Sequence, residues 1–263
     1  MINLHERLSE FSYGFGVTRE VQSLLEGIGL RPTPFLPNLL HEEELGFDVG
    51  FEDRGRVVIL QFKLGHELKR FHRATPAQSV PELQHPFWRF IVDTSGHQFQ
   101  RLTEFEASDA DTYYIAPKFS DWKVYDSAFQ DGKVLEKSLL LKPSEISRGV
   151  QAQGGSAGMH RIVYDGLSRY VCSEPTALRE SRPGEVATEI ATKIRQSKAT
   201  LEEQVGRLYE RARPQAGPGA LARSREDRIF ARSKDRTHGM AAIVGLEAWS
   251  QGAQLLFVTD ASG

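Results

Sequence analysis

Three residues whose types suit phosphoryl chemistry lie close together in the chain. Asp48 sits in Phe47-Asp48-Val49-Gly50-Phe51-Glu52, and Gln61 and Lys63 close the run Arg56-Val57-Val58-Ile59-Leu60-Gln61-Phe62-Lys63. Magnesium takes oxygen ligands and keeps several waters, so one carboxylate, one amide carbonyl and one backbone carbonyl are enough protein ligands. Such an ion polarises a phosphate oxygen and acidifies a bound water. A lysine beside it orients that water or neutralises charge on the phosphorane. The trio therefore predicts a metal-dependent phosphodiesterase using Mg²⁺ or Mn²⁺.

The elements that must position the trio read as a β-hairpin. Phe47, Val49 and Phe51 alternate with Asp48, Gly50 and Glu52, the period of a half-buried strand. Val57 to Leu60 is continuously apolar, the mark of a central strand covered on both faces. A two-residue Arg54-Gly55 loop, or a four-residue loop from Asp53 to Arg56, sets Asp48 opposite Gln61, with Cβ atoms about 4.5–5.5 Å apart. Lys63 leaves the sheet on the same side as Gln61. A three-residue loop shifts the register by one and dissolves the group. The same residue types also occur on plain solvated hairpin faces. Against that reading, Gln61 and Lys63 interrupt a buried run on one face, where partnerless polar groups are costly.

Around the hairpin, Thr18 is expected to cap a helix through Val21, Leu24, Leu25 and Ile28 that ends at Gly27 and Gly29. The proline-spaced stretch Arg31 to Pro37 cannot be helix interior. A strand over Phe87–Asp93, a helix with Phe99, Leu102 and Phe105 on one face, and a strand over Thr112–Ala116 complete an order α, β, β, β, α, β within about 120 residues. That order predicts an α/β (α+β) fold with a mixed central sheet flanked by helices. Residues 121–184 read as an irregular or β-containing extension. Residues 185–263 read as a long helix over 185–212, a linker at Pro214–Gly219, a basic segment, and a closing helix and strand. Val186, Ile190, Ile194, Ser197, Leu201, Val205 and Leu208 form a heptad-like stripe. This stripe predicts a homodimer through the 186–208 helix.

The αβββαβ order, with an acid on one strand and Gln-x-Lys on the next, resembles the PD-(D/E)xK nuclease superfamily. The Gly46-Phe47-Asp48 and Gln61-Phe62-Lys63 forms are similar to its Mrr-type restriction and defence-effector branch. The resemblance covers roughly residues 12–120. It implies a restriction-endonuclease-like core, a magnesium-dependent endonuclease acting on DNA in preference to RNA, and a defence-system partner protein. By position, Asp48 and Gln61 would be metal ligands and Lys63 the catalytic lysine. The family's first-helix acid would be Glu20 in preference to Glu26, with Glu44 competing as a metal ligand. Gln61 departs from the acidic consensus and removes one negative charge from the ion. That keeps a second reading in view, a catalytically inert nuclease-like subunit that binds nucleic acid or a partner.

The remaining features bound these expectations. A chain of 263 residues, 40% hydrophobic and 26% charged, can bury a sizeable core. Net charge is −2, so no global field attracts a polyanion, and contacts to nucleic acid must be local. Lys69, Arg70, His72 and Arg73 form a basic cluster just past the motif. Gln98 and Gln100 open the second helix, where relatives place a polar residue beside the active site. Residues 207–236 carry nine Lys/Arg against four Asp/Glu, with Arg223, Arg225 and Arg228 the candidate phosphate contacts. The single cysteine, Cys172, rules out an internal disulfide and reads as a buried structural residue rather than a partner of His160. No apolar run is long enough to span a membrane and no basic leader precedes one, so a cytoplasmic protein is expected.

Overall fold

The computed structural model describes residues 8–35, 49–73, 75–76, 78–172, 174–212 and 220–261, with the backbone alone for 220–225. Its elements, in chain order, open with α1 (Glu10–Glu26), β1 (Leu30–Phe35), β2 (Gly55–Phe62), β3 (His66–Leu68), β4 (Phe87–Asp93), α2 (His97–Ala107) and β5 (Asp111–Pro117). The chain continues through α3 (Trp122–Gln130), β6 (Ser138–Leu141), α4 (Pro143–Ala152), β7 (Met159–Tyr164), β8 (Arg169–Cys172) and β9 (Pro175–Ala177). It closes with α5 (Pro183–Gln196), α6 (Leu201–Ala212), α7 (Ala220–Arg232), α8 (Arg236–Ser250) and β10 (Ala253–Asp260). The fold is α+β, with two five-stranded sheets flanked by helices. One sheet is mixed, in the order β1-β10-β2-β5-β6; the other is antiparallel throughout, in the order β3-β4-β7-β8-β9. Among the described residues no helix is long and apolar enough to cross a membrane.

Every residue of β2 is buried, as its unbroken apolar run requires of a strand with neighbours on both sides. Those neighbours are β10 and β5. The expected hairpin partner is not among them. Residues 49–53 are coil, turn and bend, and Arg54 makes an isolated bridge to Thr200, so the described part of the expected first strand forms no hairpin with β2; Asp48 itself lies outside the described residues. The alternation in 47–52 meant something else. Phe51 packs edge-on against Phe257 and His238, and the Phe51 carbonyl accepts the Glu202 N–H, which makes residues 49–53 a packed loop.

The proline-spaced stretch is partly a strand, β1, at the edge of the mixed sheet. Pro32 and Pro34 share strand parity, so their missing donors fall on one side, the side an edge strand leaves unpaired. The order of elements is thus α-β-β-β-β-α-β, and the strand over 87–93 joins the second sheet rather than the one holding β2. Helix α1 begins eight residues before Thr18, because Tyr13 and Val17 continue the buried stripe of Val21 back to Glu10. Residues 121–184 contain four strands, in keeping with the β-containing extension expected there, together with two helices, α3 and α4, that the sequence reading did not include.

The expected single helix over 185–212 is two helices. Thr200 and Glu203 form a reciprocal capping box at the start of α6: Glu203 N–H donates to the Thr200 hydroxyl (3.2 Å) and Thr200 N–H to the Glu203 carboxylate (3.3 Å). Ile190, Ile194, Leu201, Val205 and Leu208 are all buried within the chain. The stripe that suggested a dimer is therefore used by internal packing.

Two compact units interleave along the sequence; one of their boundaries, Val186–Ala187, falls two residues from the one expected after 184, and none falls after 120. One unit comprises Met1–Val21, Gln61–Thr103 and Tyr113–Val186; the other comprises Gln22–Leu60, Glu104–Thr112 and Ala187–Gly263. The first is built on the antiparallel sheet, where Phe90 of β4 and Phe99 of α2 stack on Tyr114. In the second, Phe35 and Phe51 pack edge-on against Phe257 of β10. Helix α8 carries Gly245 where the Phe35 ring leaves no room for a Cβ.

Candidate phosphodiesterase site

Lys63 stands one residue beyond β2, and its N–H donates to the Ile115 carbonyl of β5 (2.9 Å), so its backbone stays in the sheet. Its side chain therefore leaves on the same side as that of Gln61, two residues earlier. The ammonium donates to the Gln98 Oε1 (2.7 Å) and lies 6.0 Å from the centre of the Tyr114 ring. Gln98 is in the first turn of α2, which the β4–α2 turn delivers there: Ser95 N–H and hydroxyl both bond the Asp93 carboxylate (3.0 and 2.6 Å). Gln61 is buried, and its Nε2 donates to the Phe62 carbonyl (3.1 Å).

A second charge meets Lys63, and sequence reasoning missed it. Glu10, the first residue of α1, is close enough for each group to shift the titration of the other. Burial lowers the Lys63 ammonium below its ordinary value, with Glu10 opposing the shift. Burial raises the Glu10 carboxyl, with Lys63 opposing. In both cases loss of water outweighs the attraction, as expected for an amine and an acid set into a partly dry recess. The signal for Glu10 was legible: it lies three, four, seven and eleven residues before Tyr13, Gly14, Val17 and Val21, on the same helical stripe. Gly14 lets the helix approach, since a Cβ there would stand 2.7 Å from the Phe62 ring.

Glu20, the acid expected from the first helix, has another task. Its two carboxylate oxygens accept the N–H groups of Val134 and Leu135 (2.9 and 2.7 Å), which holds the turn between α3 and β6. Of the two, Glu10 is the α1 acid whose charge acts on Lys63. Asp48 and Glu44 lie outside the described residues. Among the described residues no group of three or more His, Cys, Asp and Glu is gathered as for a metal ion. The donors that are gathered near Lys63, one carboxyl and two side-chain amides, are oxygen donors. This chemistry fits Mg²⁺ or Mn²⁺, with a low ligand charge.

The basic cluster after the motif is exposed at Lys69, Arg70 and Arg73, and Arg73 donates to the Pro76 carbonyl (3.3 Å). Arg161 of β7 joins it, donating to the His72 carbonyl (3.1 Å) with its guanidinium 5.8 Å from the centre of the Phe71 ring. Nothing in the sequence links Arg161 to residues 69–73; the pairing of β4 with β7 does so. The basic segment expected at 223–236 is mostly helix α7, with Arg228 exposed and the side chains of Arg223 and Arg225 outside the described set. Cys172 is buried, which pushes its thiol up to about 12, so it is no nucleophile at neutral pH.

Comparison with family models, with characterised proteins and with solved structures returns no match.

Proposed function

We propose that this chain is a metal-dependent nuclease that hydrolyses phosphodiester bonds, of DNA in preference to RNA. One observation carries the reading: a partly dehydrated lysine ends the central strand, is bonded to Gln98, and is set beside Gln61 and Glu10. A folding role does not explain it, because burial weakens the charged form of that amine and an apolar side chain would serve the core better. Phosphodiester hydrolysis does explain it. Negative charge grows on the phosphorane, and a donor positioned before the reaction stabilises that charge without reorganising.

When bound, Mg²⁺ or Mn²⁺ would polarise the phosphate and acidify a water, held by Glu10, Gln61 and an acid from the segment containing Asp48. Lys63 places an N–H at the developing charge or at the attacking water. Gln98 fixes the direction of that N–H through its 2.7 Å bond, and the β2 ladder prevents the main chain from moving. Lys69, Arg70, Arg73 and Arg161 supply local positive charge for a phosphate backbone on a chain whose net charge is −2. A role in restriction or antiviral defence, with a partner protein supplying target choice, is what the resemblance adds.

The test is cleavage of supercoiled plasmid with Mg²⁺ or Mn²⁺ by the parent, Lys63→Ala and Asp48→Asn. The parent should nick and linearise the plasmid. Lys63→Ala should lose ~10²–10³ in rate while melting normally. Equal products from all three proteins would sink the proposal, and binding without cleavage would leave an inert nucleic-acid-binding module in its place.

A further inference from the structure

A lysine is a point charge on a flexible four-carbon stem, so the Lys63 ammonium needs more than one contact to hold a direction. Gln98 supplies the first, through its 2.7 Å bond to Nζ. The second is the face of Tyr114, whose ring centre lies 6.0 Å from Nζ, at the reach of a cation–π interaction. Tyr114 belongs to β5, the strand whose Ile115 carbonyl accepts the Lys63 N–H, so ring and ammonium rise from adjoining stretches of chain. Burial has stripped water from the ammonium, and there a ring quadrupole replaces part of the lost hydration.

The ring is held in place. It stacks on Phe90 (6.5 Å between centres, planes 22° apart) and on Phe99 (6.2 Å, 21°), both in the range of offset-stacked pairs. Phe99 follows Gln98 in α2, so one helical turn fixes the ammonium twice: directly through Gln98, and through Phe99 against Tyr114. Tyr114 is 1% exposed, yet its hydroxyl has no hydrogen-bond partner among the described residues. A buried hydroxyl left unpaired costs stability, and phenylalanine would fill the same space without that cost. What Tyr114 offers Lys63 is therefore its π-face. Burial also raises the phenol above its ordinary value, so the ring stays neutral. The charge acting on Lys63 is Glu10 of α1, while Gln98, Phe99 and Phe90 are neutral neighbours.

We propose that Tyr114 is a positioning residue: its ring, locked by Phe90 and Phe99, keeps the Lys63 ammonium charged and aimed for phosphodiester hydrolysis. The inference rests on the nuclease reading for the reaction it serves. The hold on Lys63 is measurable without any substrate, which lets the two be judged apart.

The test varies the charge distribution of the ring while keeping its shape. Tyr114→Phe drops only the unpartnered hydroxyl; it should melt no lower than the parent and keep at least about half of its plasmid-cleavage rate. Replacing Tyr114 by phenylalanine with one, two and three ring fluorines then drains the π-face stepwise. Across that series the Lys63 titration should fall by about 0.5 to 1.5 pH units, read by ¹⁵N-lysine NMR on the metal-free full chain and assigned with Lys63→Ala. The alkaline limb of the cleavage profile should move down with it. On that limb kcat falls about 3- to 30-fold, while KM changes less than about 2-fold and Tm holds. Tyr114→Leu should match the end of the series. A Lys63 titration that ignores the fluorines, or a Tyr114→Phe protein as impaired as Tyr114→Leu, would overturn the inference. Lys63-dependent cleavage that is constant across the series keeps the nuclease reading and sinks this one. A titration that follows the fluorines in a protein that cleaves nothing keeps the hold on Lys63 and sinks the nuclease reading.

Discussion

Replacing Asp111 with alanine should cost about 3–5 kcal/mol of stability, the loss measured when one member of a buried ion pair is removed. Asp111 opens β5, with its side chain only 1% exposed. One oxygen accepts from Arg56 Nε (2.9 Å) and the other from Lys193 Nζ (2.6 Å). Two charge-assisted bonds at about 1.5–3 kcal/mol each bracket the same range. The consequences for the two cations differ. Lys193 keeps Glu189 and reaches solvent, whereas Arg56 keeps Asp109 but stays buried at the start of β2, the strand that carries Gln61 and leads into Lys63. Asp109 cannot substitute for Asp111, because its carbonyl already receives both Arg56 and Gln204 (2.6 Å each) from a left-handed backbone with φ of 74°.

Urea unfolding followed by circular dichroism measures the loss, which corresponds to a fall in Tm of roughly 6–20 °C for a chain of this size. The double variant Arg56→Met/Asp111→Leu should recover most of it, since a well-packed apolar pair often equals a buried ion pair. A loss below about 1 kcal/mol in the single variant, or a double variant as poor as the sum of the singles, would refute the coupling.

Burial raises the Glu10 carboxyl, so the folded chain holds that proton to higher pH than the unfolded chain does, and stability falls as pH rises through the raised value. Glu10→Gln should therefore be more stable than the parent near pH 8 and no better near pH 4; urea midpoints that differ equally at both would contradict the burial argument. Gly14→Ala gains about 1 kcal/mol of helix propensity but sets a Cβ 2.7 Å from the Phe62 ring, and should lose about 1–3 kcal/mol net. A calorimetric gain in stability would show that the ring yields. Thr200→Ala removes the α6 cap and should cost about 1 kcal/mol by urea unfolding, and Glu203→Ala should add little on top of it.

Much of the local geometry was legible because it depends on local pattern. The buried run Val57–Leu60 had to be a central strand, strand parity put Gln61 and Lys63 on one side, and the start of the helix after Phe87–Asp93 was where Gln98 was expected. Thr200-Leu201-Glu202-Glu203 was a readable capping box, but a heptad count that continued through it hid the break. The hairpin failed for a different reason. Alternation in 47–52 matches a strand equally well whether or not a neighbour exists to pair with it, and here β2 pairs with β5 and with β10, from the far end of the chain.

From sequence alone came the residue types and the short-range geometry: an amine two residues after an amide on a buried strand, with too little net charge to attract nucleic acid as a whole. Tertiary structure alone decided which acid meets that amine. The sequence offered Glu20 and Glu26 on a helix read as starting too late to include Glu10; the longer α1, its seating on Phe62 and the turn that occupies Glu20 bring Glu10 forward instead. Helical and strand periods are properties of the backbone and extend over a few residues. The choice of partner depends on where distant segments pack, and no local period encodes that.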